Sequence, residues 1–393
     1  MFLSLLVYSL LILIMYTCFS RVPKVYSLYK RNFNHNINKS FFYRKEVIFP
    51  LILFAIVMGM RYDVGTDYNN YFEAYTGLSL ENERFEIGYR AFVWICHLFN
   101  FHYVFYFSIA AFLPIFFYYK AFERQVYLYP LLTIFLFVNN EYWNWMNVMR
   151  CSISICLFVY AVNFIAIHDY KKYYLYSIIA LLFHKSAVLL FFIYPLFRFD
   201  IDYLKNRYVQ LAAFIFMFVL AASFEALFFK YADIISFYQV FLGGDDMSYS
   251  SYSLDNLYEE MGNAARSNTG IVKHFKNLVW LLMIYYSTRM KQFYSDKKFN
   301  IIFMLFFMGS FINGVLPEGA ISLARPFRFF SIFQTIIYAY FLYFLMRQRR
   351  DKICQILYIG LMLTFFVIFY MNMVLSGSKA HIWYQFFWSN PRG

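Results

Sequence analysis

Apolar runs recur along the whole chain, and no block of soluble-domain size interrupts them. A membrane-spanning helix needs about 20 mostly apolar residues, and shorter segments occur in crowded bundles. The pattern predicts about twelve transmembrane segments in an all-α, polytopic membrane bundle that forms a single domain over residues 1–393. We place the segments at 2–20, 46–60, 103–119, 127–141, 146–167, 173–184, 186–197, 208–224, 271–287, 299–316, 326–346 and 353–375.

Residues 173–197 decide how the later segments are oriented. One long helix here would move the basic run Arg347-Gln348-Arg349-Arg350 to the opposite face from the other basic loops. Two short half-segments that meet at Phe183-His184-Lys185-Ser186 keep it on the same face. Broken segments at membrane depth are tolerated where they line a polar cavity. The charge pattern therefore predicts a break at His184, with this side chain facing a cavity.

Charge alternates between the loops on the two sides of the bundle. One side comprises residues 21–45, 118–127, 168–173, 198–207, 288–298 and 347–352. With Glu46 included, these loops hold 22 of the 35 Lys and Arg residues but only 7 of the 22 Asp and Glu residues. Cytoplasmic loops carry an excess of basic residues. We therefore assign this side to the cytoplasm and expect both termini in the periplasm.

Two longer loops lie on the opposite, periplasmic side. Residues 61–102 contain an Arg/Gly/Asp motif, and their part 85–100 has the amphipathic pattern of a helix at the membrane interface. Residues 225–270 form the longest loop of this side. A loop of this length with little periodicity is typical of a functional lid or a mobile segment.

Composition supports a membrane protein and excludes other classes. The chain is 62% apolar and 25% aromatic, whereas soluble proteins are about 45–50% apolar. Tyr and Trp are typical of bilayer interfaces. The net charge of +13 comes from short loops, so it indicates topology and not nucleic-acid binding. Residues Met1 to Ser20 have no basic start and no cleavage site, and we expect a retained first helix.

The sequence predicts no cofactor. The five cysteines contain no CxxC pair, and most lie in apolar segments, where buried free thiols are expected. The seven histidines are scattered, and no set of His, Cys and Asp has the spacing of a metal site. We therefore expect a metal-independent protein.

The densest polar motif is Arg61-Tyr62-Asp63-Val64-Gly65-Thr66-Asp67-Tyr68, at the outer end of the second segment. An Arg fork, a flexible Gly65 and the Thr66 hydroxyl could bind a phosphate or a sugar while Asp67 accepts a proton. The alternative is a capped helix exit in which Asp67 forms a salt bridge with Arg61.

Two further candidates lie at the ends of membrane segments. Arg150 follows the aromatic run Tyr142-Trp143-Asn144-Trp145. An Arg inside a membrane segment is costly and marks a function by default, and the alternative is snorkelling to the interface. At the predicted break, His184 could act as a base or donate to an anion, beside Lys185. The alternative for His184 is a purely structural polar residue.

The last motif is Arg325-Pro326-Phe327-Arg328, which follows Pro317-Glu318-Gly319. Two Arg three residues apart at a helix start face the same side. A helix N-terminus favours anions, and Arg binds phosphate bidentately. The motif predicts a diphosphate clamp, with an interfacial anchor as the alternative. In this topology all four motifs lie on the periplasmic face.

Together these motifs resemble the signature of the EpsG family of bacterial polysaccharide polymerases, which includes many Wzy-type O-antigen polymerases. The first block is Arg61-x-x-x-Gly65-Thr66-Asp67-Tyr68 followed by Tyr71 and then by Glu86-x-Gly88-Tyr89. Further matches, in the same order, are Met149-Arg150-Cys151-Ser152-Ile153, Phe183-His184-Lys185-Ser186-Ala187 and Arg325-Pro326-Phe327-Arg328-Phe329.

The resemblance implies a GT-C-like glycosyltransferase of the bacterial inner membrane that works at the periplasmic face. It would transfer a growing glycan from undecaprenyl diphosphate to the non-reducing end of another lipid-linked repeat unit, in O-antigen or related polysaccharide biosynthesis. The implied partners are the lipid-linked donor and acceptor, membrane lipid and a chain-length regulator protein, with no nucleic acid.

This reaction suggests a role for each candidate. Arg150, Arg325 and Arg328 would hold the donor diphosphate, because positive charge stabilises the leaving group. His184, or else Asp67, would take the acceptor proton. Arg61 would order the Gly65–Tyr68 turn or add a phosphate contact, Thr66 and Lys185 would bind substrate, and Glu318 would be a reserve base. The rings of Tyr68, Trp143 and Trp145 would stack on sugars. The loop 225–270 would close over the acceptor.

Other activities remain open at this point. An O-antigen ligase would use the same lipid and similar Arg and His chemistry. A flippase or transporter would carry charged residues through the bundle centre and two similar halves, and neither is visible in the sequence. A membrane acyltransferase would need a His or paired acidic motif at the other membrane face, which the sequence lacks.

Overall fold

The computed structural model describes residues 1–32, 41–77, 85–230, 271–316, 324–376 and 383–389, and these residues are almost entirely helical. The α-helices, numbered in chain order, are α1 (Phe2–Asn32), α2 (Lys45–Gly59), α3 (Tyr68–Thr76), α4 (Ile87–Leu98), α5 (Tyr103–Ala121), α6 (Tyr129–Val138), α7 (Glu141–Asn147), α8 (Met149–Ala166), α9 (Tyr170–Phe183), α10 (Ile193–Phe197), α11 (Arg207–Lys230), α12 (Ile271–Tyr294), α13 (Lys297–Val315), α14 (Arg328–Arg347) and α15 (Lys352–Ser376). Short 3₁₀ helices include Lys185–Phe192 and Arg325–Phe327.

The helices are those of a polytopic membrane protein. Seven helices within the described ranges are long and apolar enough to cross a bilayer. They lie at Phe2–Ser27, Tyr103–Ala121, Met149–Ala166, Arg207–Phe224, Lys297–Val315, Arg325–Arg347 and Lys352–Val374. Each of the twelve segments predicted from the sequence overlaps a helix, but the number of crossings and the side of the termini stay predictions. The first helix continues to Asn32, beyond the predicted end at residue 20.

The chain divides into two compact units. The first unit comprises Met1–Asn163, Ile178–His184 and Tyr338–Gly393, and the second comprises Phe164–Ser177 and Lys185–Ile337. The boundary between His184 and Lys185 coincides with the predicted break, because α9 ends at Phe183 and a 3₁₀ helix begins at Lys185. The sequence analysis expects one domain over the whole chain.

In the first unit, α2 packs closely on α5, and α1 packs on α2 and α6. A Cβ at Gly59 would lie 2.7 Å from the Val104 carbonyl oxygen, so only glycine allows the two helices this approach. The interior is rich in tyrosine rather than in aliphatic residues alone. Fully buried tyrosines of this unit are Tyr8, Tyr68, Tyr89, Tyr106, Tyr118, Tyr119, Tyr129, Tyr142, Tyr338 and Tyr340. Burial in the core, as well as contact with the interface, therefore accounts for the aromatic content.

A short C-terminal segment, residues 384–387, is hydrogen-bonded to other parts of the first unit at one end. The amide of Tyr62 donates to the Gln385 carbonyl (2.9 Å), and the amide of Phe387 donates to the Met60 carbonyl (2.8 Å). The Tyr384 amide donates to the Ser4 hydroxyl (2.8 Å). The start of α1, the end of α2 and the C-terminal segment therefore meet at the same end of this unit.

In the second unit, α11 packs on α12 and α13, and the 3₁₀ helix Arg325–Phe327 packs on the 3₁₀ helix Lys185–Phe192. Some basic residues of the predicted cytoplasmic loops are paired. Lys291 Nζ lies 2.6 Å from Asp202 Oδ2 and donates to the Leu204 carbonyl at 2.8 Å. Such pairs hold the loop after α10 against α12.

Candidate functional site

The candidate site of the first unit begins at the N-terminus of α8. A single residue, Val148, separates the end of α7 from the start of α8, so Arg150 lies in the first turn of an 18-residue helix. The free N–H groups of a first turn and the positive end of the helix dipole favour an anion. Arg150 adds a guanidinium at that position, and its side chain keeps 20% of its surface exposed.

Three groups hold the Arg150 guanidinium in place. It forms an ion pair with the Glu86 carboxylate through Nη1 and Oε2. The Tyr71 hydroxyl lies close enough to interact electrostatically with the guanidinium. The Phe85 ring lies under the guanidinium, with the ring centroid 4.7 Å from Cζ, a distance at which a cation is attracted to an aromatic face. Arg150 is thus oriented by Tyr71, Phe85 and Glu86.

Glu86 is almost enclosed, with its side chain 4% exposed. Its second oxygen, Oε1, lies 3.3 Å from His184 Nδ1. Burial alone would raise the pKa of the carboxyl, but the contact with His184 and the charge of Arg150 outweigh burial and lower the pKa to about 2. Glu86 is therefore an ionised carboxylate shared by a guanidinium and an imidazole.

A glycine brings this carboxylate to His184. Glu86 is the N-cap residue of α4, and Gly88 lies in the first turn of that helix. A Cβ at Gly88 would stand 2.7 Å from the Leu182 carbonyl oxygen and 2.9 Å from the Leu182 Cβ. The N-terminus of α4 therefore rests directly on the end of α9, two residues before His184.

His184 occupies the first position after α9, and its amide donates to the Ala180 carbonyl (3.0 Å). Its side chain is 18% exposed. Besides Glu86, the imidazole has the Cys151 thiol as a hydrogen-bond neighbour. The structure thus brings together Arg150 and His184, which the sequence analysis proposes as anion contact and base. Ser154 of α8 donates to the Ala180 carbonyl (2.6 Å) and ties α8 to the last turns of α9.

The Arg61 guanidinium is buried and bonds to backbone carbonyls. It is fully buried, donates from Nη1 to the Met58 carbonyl (2.7 Å) and from Nη2 to the Met146 carbonyl (3.0 Å). These carbonyls belong to the last turns of α2 and α7, where helices have unpaired acceptors and a negative dipole end. Arg61 therefore caps two helices at once. Its Cζ also lies 4.7 Å from the centroid of the Phe107 ring.

The turn after Arg61 is attached to the residue that ends α7. Asn147 Oδ1 accepts hydrogen bonds from the Thr66 hydroxyl and from the Asp67 amide, both at 2.8 Å. Gly65 has a φ of +104° and sits against Asn147, a conformation that L-residues with a side chain rarely adopt. The Gly65-Thr66-Asp67 turn thus fixes the joint between α7 and α8, three residues before Arg150.

Asp67 precedes α3 as its N-cap residue, and its carbonyl accepts from the Tyr71 amide (3.2 Å). Its carboxylate interacts electrostatically with the Tyr71 hydroxyl, as Arg150 does. Asp67 therefore lies at the end of the unit that carries Arg150 and His184, half-buried. Both residues that the sequence analysis considers as the base belong to this end.

The aromatic candidates have different surroundings. Tyr68 is fully buried and stacks on Phe107, with ring centroids 5.0 Å apart. Trp145 is buried and meets the Tyr118 ring edge-on at 5.5 Å. A sugar could stack on either ring only after its neighbours move. Trp143 of α7 is half-buried. Stacking of these three residues on sugars stays a prediction, and only Trp143 has part of its surface free.

Other candidates belong to the second unit or fall outside the described residues. Lys185 is exposed at the start of its 3₁₀ helix. Arg325 begins another 3₁₀ helix and Arg328 begins α14; both are half-buried. That these two arginines share a face stays a prediction. Glu318 and most of the loop 225–270 lie outside the described residues, and α11 extends to Lys230.

Glu86 and Tyr71 are the residues of the site to which the sequence analysis assigns no role. Both appear in the motif block that follows Arg61, so their presence was visible, but their function was not. The available signal was a carboxylate followed by a glycine just before a helix, Glu86-x-Gly88. Only the contact with α8 and α9 shows that this carboxylate joins Arg150 to His184.

The described parts of the chain contain no group of three His, Cys, Asp or Glu side chains placed to hold a metal ion. The metal independence expected from the sequence stays a prediction. Of the five cysteines, Cys18 is half-buried and the others are buried, all as free thiols.

A model of the EpsG family matches residues 46–387. The match runs from α2 to the C-terminal segment, so it includes Glu86, Arg150 and His184. No curated protein and no solved structure matches this chain.

Proposed function

Since the chain belongs to the EpsG family, which is associated with Wzy-type polymerases, we propose that it polymerises a lipid-linked bacterial polysaccharide. The specific reaction is transfer of a glycan from undecaprenyl diphosphate to the non-reducing end of another lipid-linked repeat unit. The observation that supports this proposal best is that Arg150 and His184 meet at one carboxylate in the first unit.

The reaction needs two kinds of group. The acceptor hydroxyl oxygen forms a bond to C1 of the donor sugar while the bond from C1 to the diphosphate oxygen breaks. The diphosphate leaves with the bonding electrons, so negative charge grows on it. The hydroxyl proton must pass to a base. A cation at the leaving group and a base at the acceptor oxygen therefore suffice for the chemistry.

Arg150 is proposed as the cation for the donor diphosphate. Its position in the first turn of α8 combines the guanidinium with a helix N-terminus, and both favour phosphate oxygens. The Phe85 ring and Tyr71 orient the side chain before substrate arrives, which limits the entropy lost on binding. Arg325 and Arg328, at the start of α14, are proposed as further diphosphate contacts on the strength of their spacing.

His184 is proposed as the base, with Asp67 as the alternative. An imidazole beside a carboxylate can take a proton, and the carboxylate stabilises the positive charge that results. Asp67 would act as a carboxylate base one helical turn before Tyr71. Polymer formation by His184→Gln and by Asp67→Asn variants separates the two, because only loss of the true base removes turnover in folded protein.

The remaining parts of the proposal concern place and partners. We propose that the chain works in the bacterial inner membrane with its site facing the periplasm, because the motif-bearing loops carry less positive charge. Its partners would be the lipid-linked donor and acceptor, membrane lipid and a chain-length regulator.

The experiment is a gene deletion in the native host, followed by gel analysis of the surface polysaccharide. Complementation uses the wild-type gene, Arg150→Ala, and Arg90→Ala as an exposed arginine of α4. A ladder that collapses to a single repeat unit, restored by wild type and Arg90→Ala but not by Arg150→Ala, is the expected result. Loss of all attached glycan with accumulation of long lipid-linked chains would indicate a ligase instead. An unchanged ladder would contradict the proposal and favour transport or acyl transfer.

A further inference from the structure

We propose that the turn between α14 and α15, residues 347–352, binds the headgroup of an acidic phospholipid. We call this segment the basic turn. Its only acid is Asp351, and its net charge is +3, because its basic residues are Arg347, Arg349, Arg350 and Lys352. The proposal is independent of the proposed polymerase activity, since the basic turn lies far from the candidate site.

The basic turn and Arg150 lie at opposite ends of the first unit. The helix α5 connects these ends, and its 19 residues rise about 28 Å. Near its start, the His102 ring lies 6.1 Å from the Phe387 ring of the C-terminal segment, which marks the end that carries the site. Beyond its other end, Gln125 Oε1 accepts from the Tyr340 hydroxyl of α14 (2.7 Å), two turns before α14 ends in the basic turn.

The three arginines of the basic turn have no counterion among the described residues. They are exposed, and none of them forms an ion pair or a side-chain hydrogen bond with the described parts of the chain. Together with Gln348 they line an open cavity of about 400 Å³, within the range of roughly 300–1,000 Å³ that ligand pockets occupy. Each guanidinium has five N–H donors in a planar fork that matches phosphate oxygens. The cavity therefore suits a phosphate group.

Other side chains complete the two helix ends at the basic turn. Gln355 of α15 donates from Nε2 to the Leu345 carbonyl (3.1 Å) and to the Gln348 carbonyl (3.2 Å). These acceptors at the end of α14 are thus satisfied without an arginine. At the start of α15, Asp351 Oδ1 accepts from the Ile353 amide (3.1 Å). The helix ends do not use the guanidinium groups, which leaves these groups available to a ligand.

An apolar stripe on α15 begins directly after the basic turn. Its members are more than half exposed and follow at intervals of three or four residues, which places them on one face of the helix: Ile353, Ile356, Ile359, Leu363 and Val367. A phospholipid has the same order, with a charged phosphate followed by apolar chains. Basic pockets beside membrane helices bind acidic headgroups. Free phosphate would use the arginines but not the stripe, so the combination favours a lipid.

The binding test uses the full-length protein in detergent, phosphatidylglycerol as the probe, and native mass spectrometry to measure bound lipid. The variant combines Arg349→Gln with Arg350→Gln, and the loss of two cations should raise the dissociation constant roughly 30-fold. The matched control combines Arg198→Gln with Lys205→Gln, which removes two exposed cations from another predicted cytoplasmic loop. The control should bind phosphatidylglycerol as wild type does.

Three results of this experiment would overturn the proposal. The first is equal affinity of wild type and the basic-turn variant. The second is an equal loss in the control, which would indicate unspecific attraction to positive charge. The third is displacement of phosphatidylglycerol by inorganic phosphate at a similar concentration, which would indicate a site for a free anion. Phosphatidylcholine, which has no net charge, should bind to wild type at least tenfold more weakly than phosphatidylglycerol.

Thermal unfolding gives a second measurement on the same proteins. Saturating phosphatidylglycerol should raise the melting temperature of wild type and of the control by more than that of the basic-turn variant. An equal rise in all three proteins would contradict the site. If the double variant does not fold, Arg350→Gln alone is compared with Arg198→Gln, and the expected loss of affinity is about fivefold. Unchanged affinity in Arg350→Gln would then overturn the proposal.

Discussion

Gly88 rests on the backbone of Leu182 so closely that a Cβ at Gly88 would stand 2.7 Å from the Leu182 carbonyl oxygen. This contact joins the first turn of α4 to the last turn of α9. Glu86 precedes α4 and His184 follows α9, so the approach of these two helix ends determines whether carboxylate and imidazole meet. A glycine with no chemistry of its own thus sets the geometry of the site.

We expect Gly88→Ala to separate Glu86 from His184. The added methyl group has backbone atoms below 3 Å as neighbours, and such overpacking costs about 1–3 kcal/mol. In Gly88→Ala protein that still folds, the rate of polymer formation should fall at least tenfold. The variant and the wild type are purified to the same oligomeric state before their rates are compared. The control is Gly360→Ala in α15, where a Cβ would meet nothing within 4 Å. Full activity of Gly88→Ala would show that the contact is not needed.

Much of this architecture is predictable from the sequence, because apolar run length and loop charge are local properties. The break between two helical segments at His184 is predicted because it places Arg347, Arg349 and Arg350 on the same membrane face as the other basic loops. The family resemblance was carried by short motifs in order, and the match over residues 46–387 confirms it.

The links between distant residues were not predictable in the same way. Nothing in the sequence near Glu86 indicates that it will lie against α8 and α9, because that contact depends on the packing of complete helices. Tyr68 and Trp145 are of the residue types that are common at bilayer interfaces and in sugar stacking, yet they are buried. Composition alone does not separate an aromatic residue that faces lipid from one that fills the core.

Arg61 should behave as a structural residue. Arg61→Ala would leave the Met58 and Met146 carbonyls without their donor and open a cavity, at a cost on the order of 3 kcal/mol or more. We expect a large loss of thermal stability and of purified folded protein, whereas Arg90→Ala should behave like wild type. A stable Arg61→Ala protein with a raised KM for the donor would instead support a phosphate contact.

Asn147 should be needed for the turn at Gly65-Thr66-Asp67. Asn147→Ala removes the acceptor of two hydrogen bonds, each worth about 1 kcal/mol, and should lower the free energy of unfolding by about 2 kcal/mol. Asn147→Asp keeps an acceptor and should lose less. The matched control is Asn163→Ala, because the Asn163 amide donates to the Tyr160 carbonyl of its own helix. Thermal unfolding in one detergent compares the three variants, and equal losses in Asn147→Ala and Asn163→Ala would contradict this role.

The stability of the first unit should depend on the ionisation of Glu86. Its pKa of about 2 in the folded protein lies below the ordinary value of about 4.3. The resulting stabilisation, roughly 3 kcal/mol, is present above pH of about 4.3 and is lost as pH falls towards 2. The difference in melting temperature between wild type and Glu86→Gln should therefore shrink across this range. A difference in melting temperature that stays the same at every pH would contradict a stabilising role of the ionised Glu86 carboxylate.

The most direct measurement of the central claim uses purified protein in nanodiscs and a lipid-linked single repeat unit from the native host. We expect wild type to convert the single unit into a ladder of longer lipid-linked chains, and Arg150→Ala of equal thermal stability to leave it unchanged. Arg90→Ala should give the wild-type ladder. A folded wild type that forms no longer chains, or an Arg150→Ala variant that forms the full ladder, would contradict the claim that Arg150 belongs to a polymerase site.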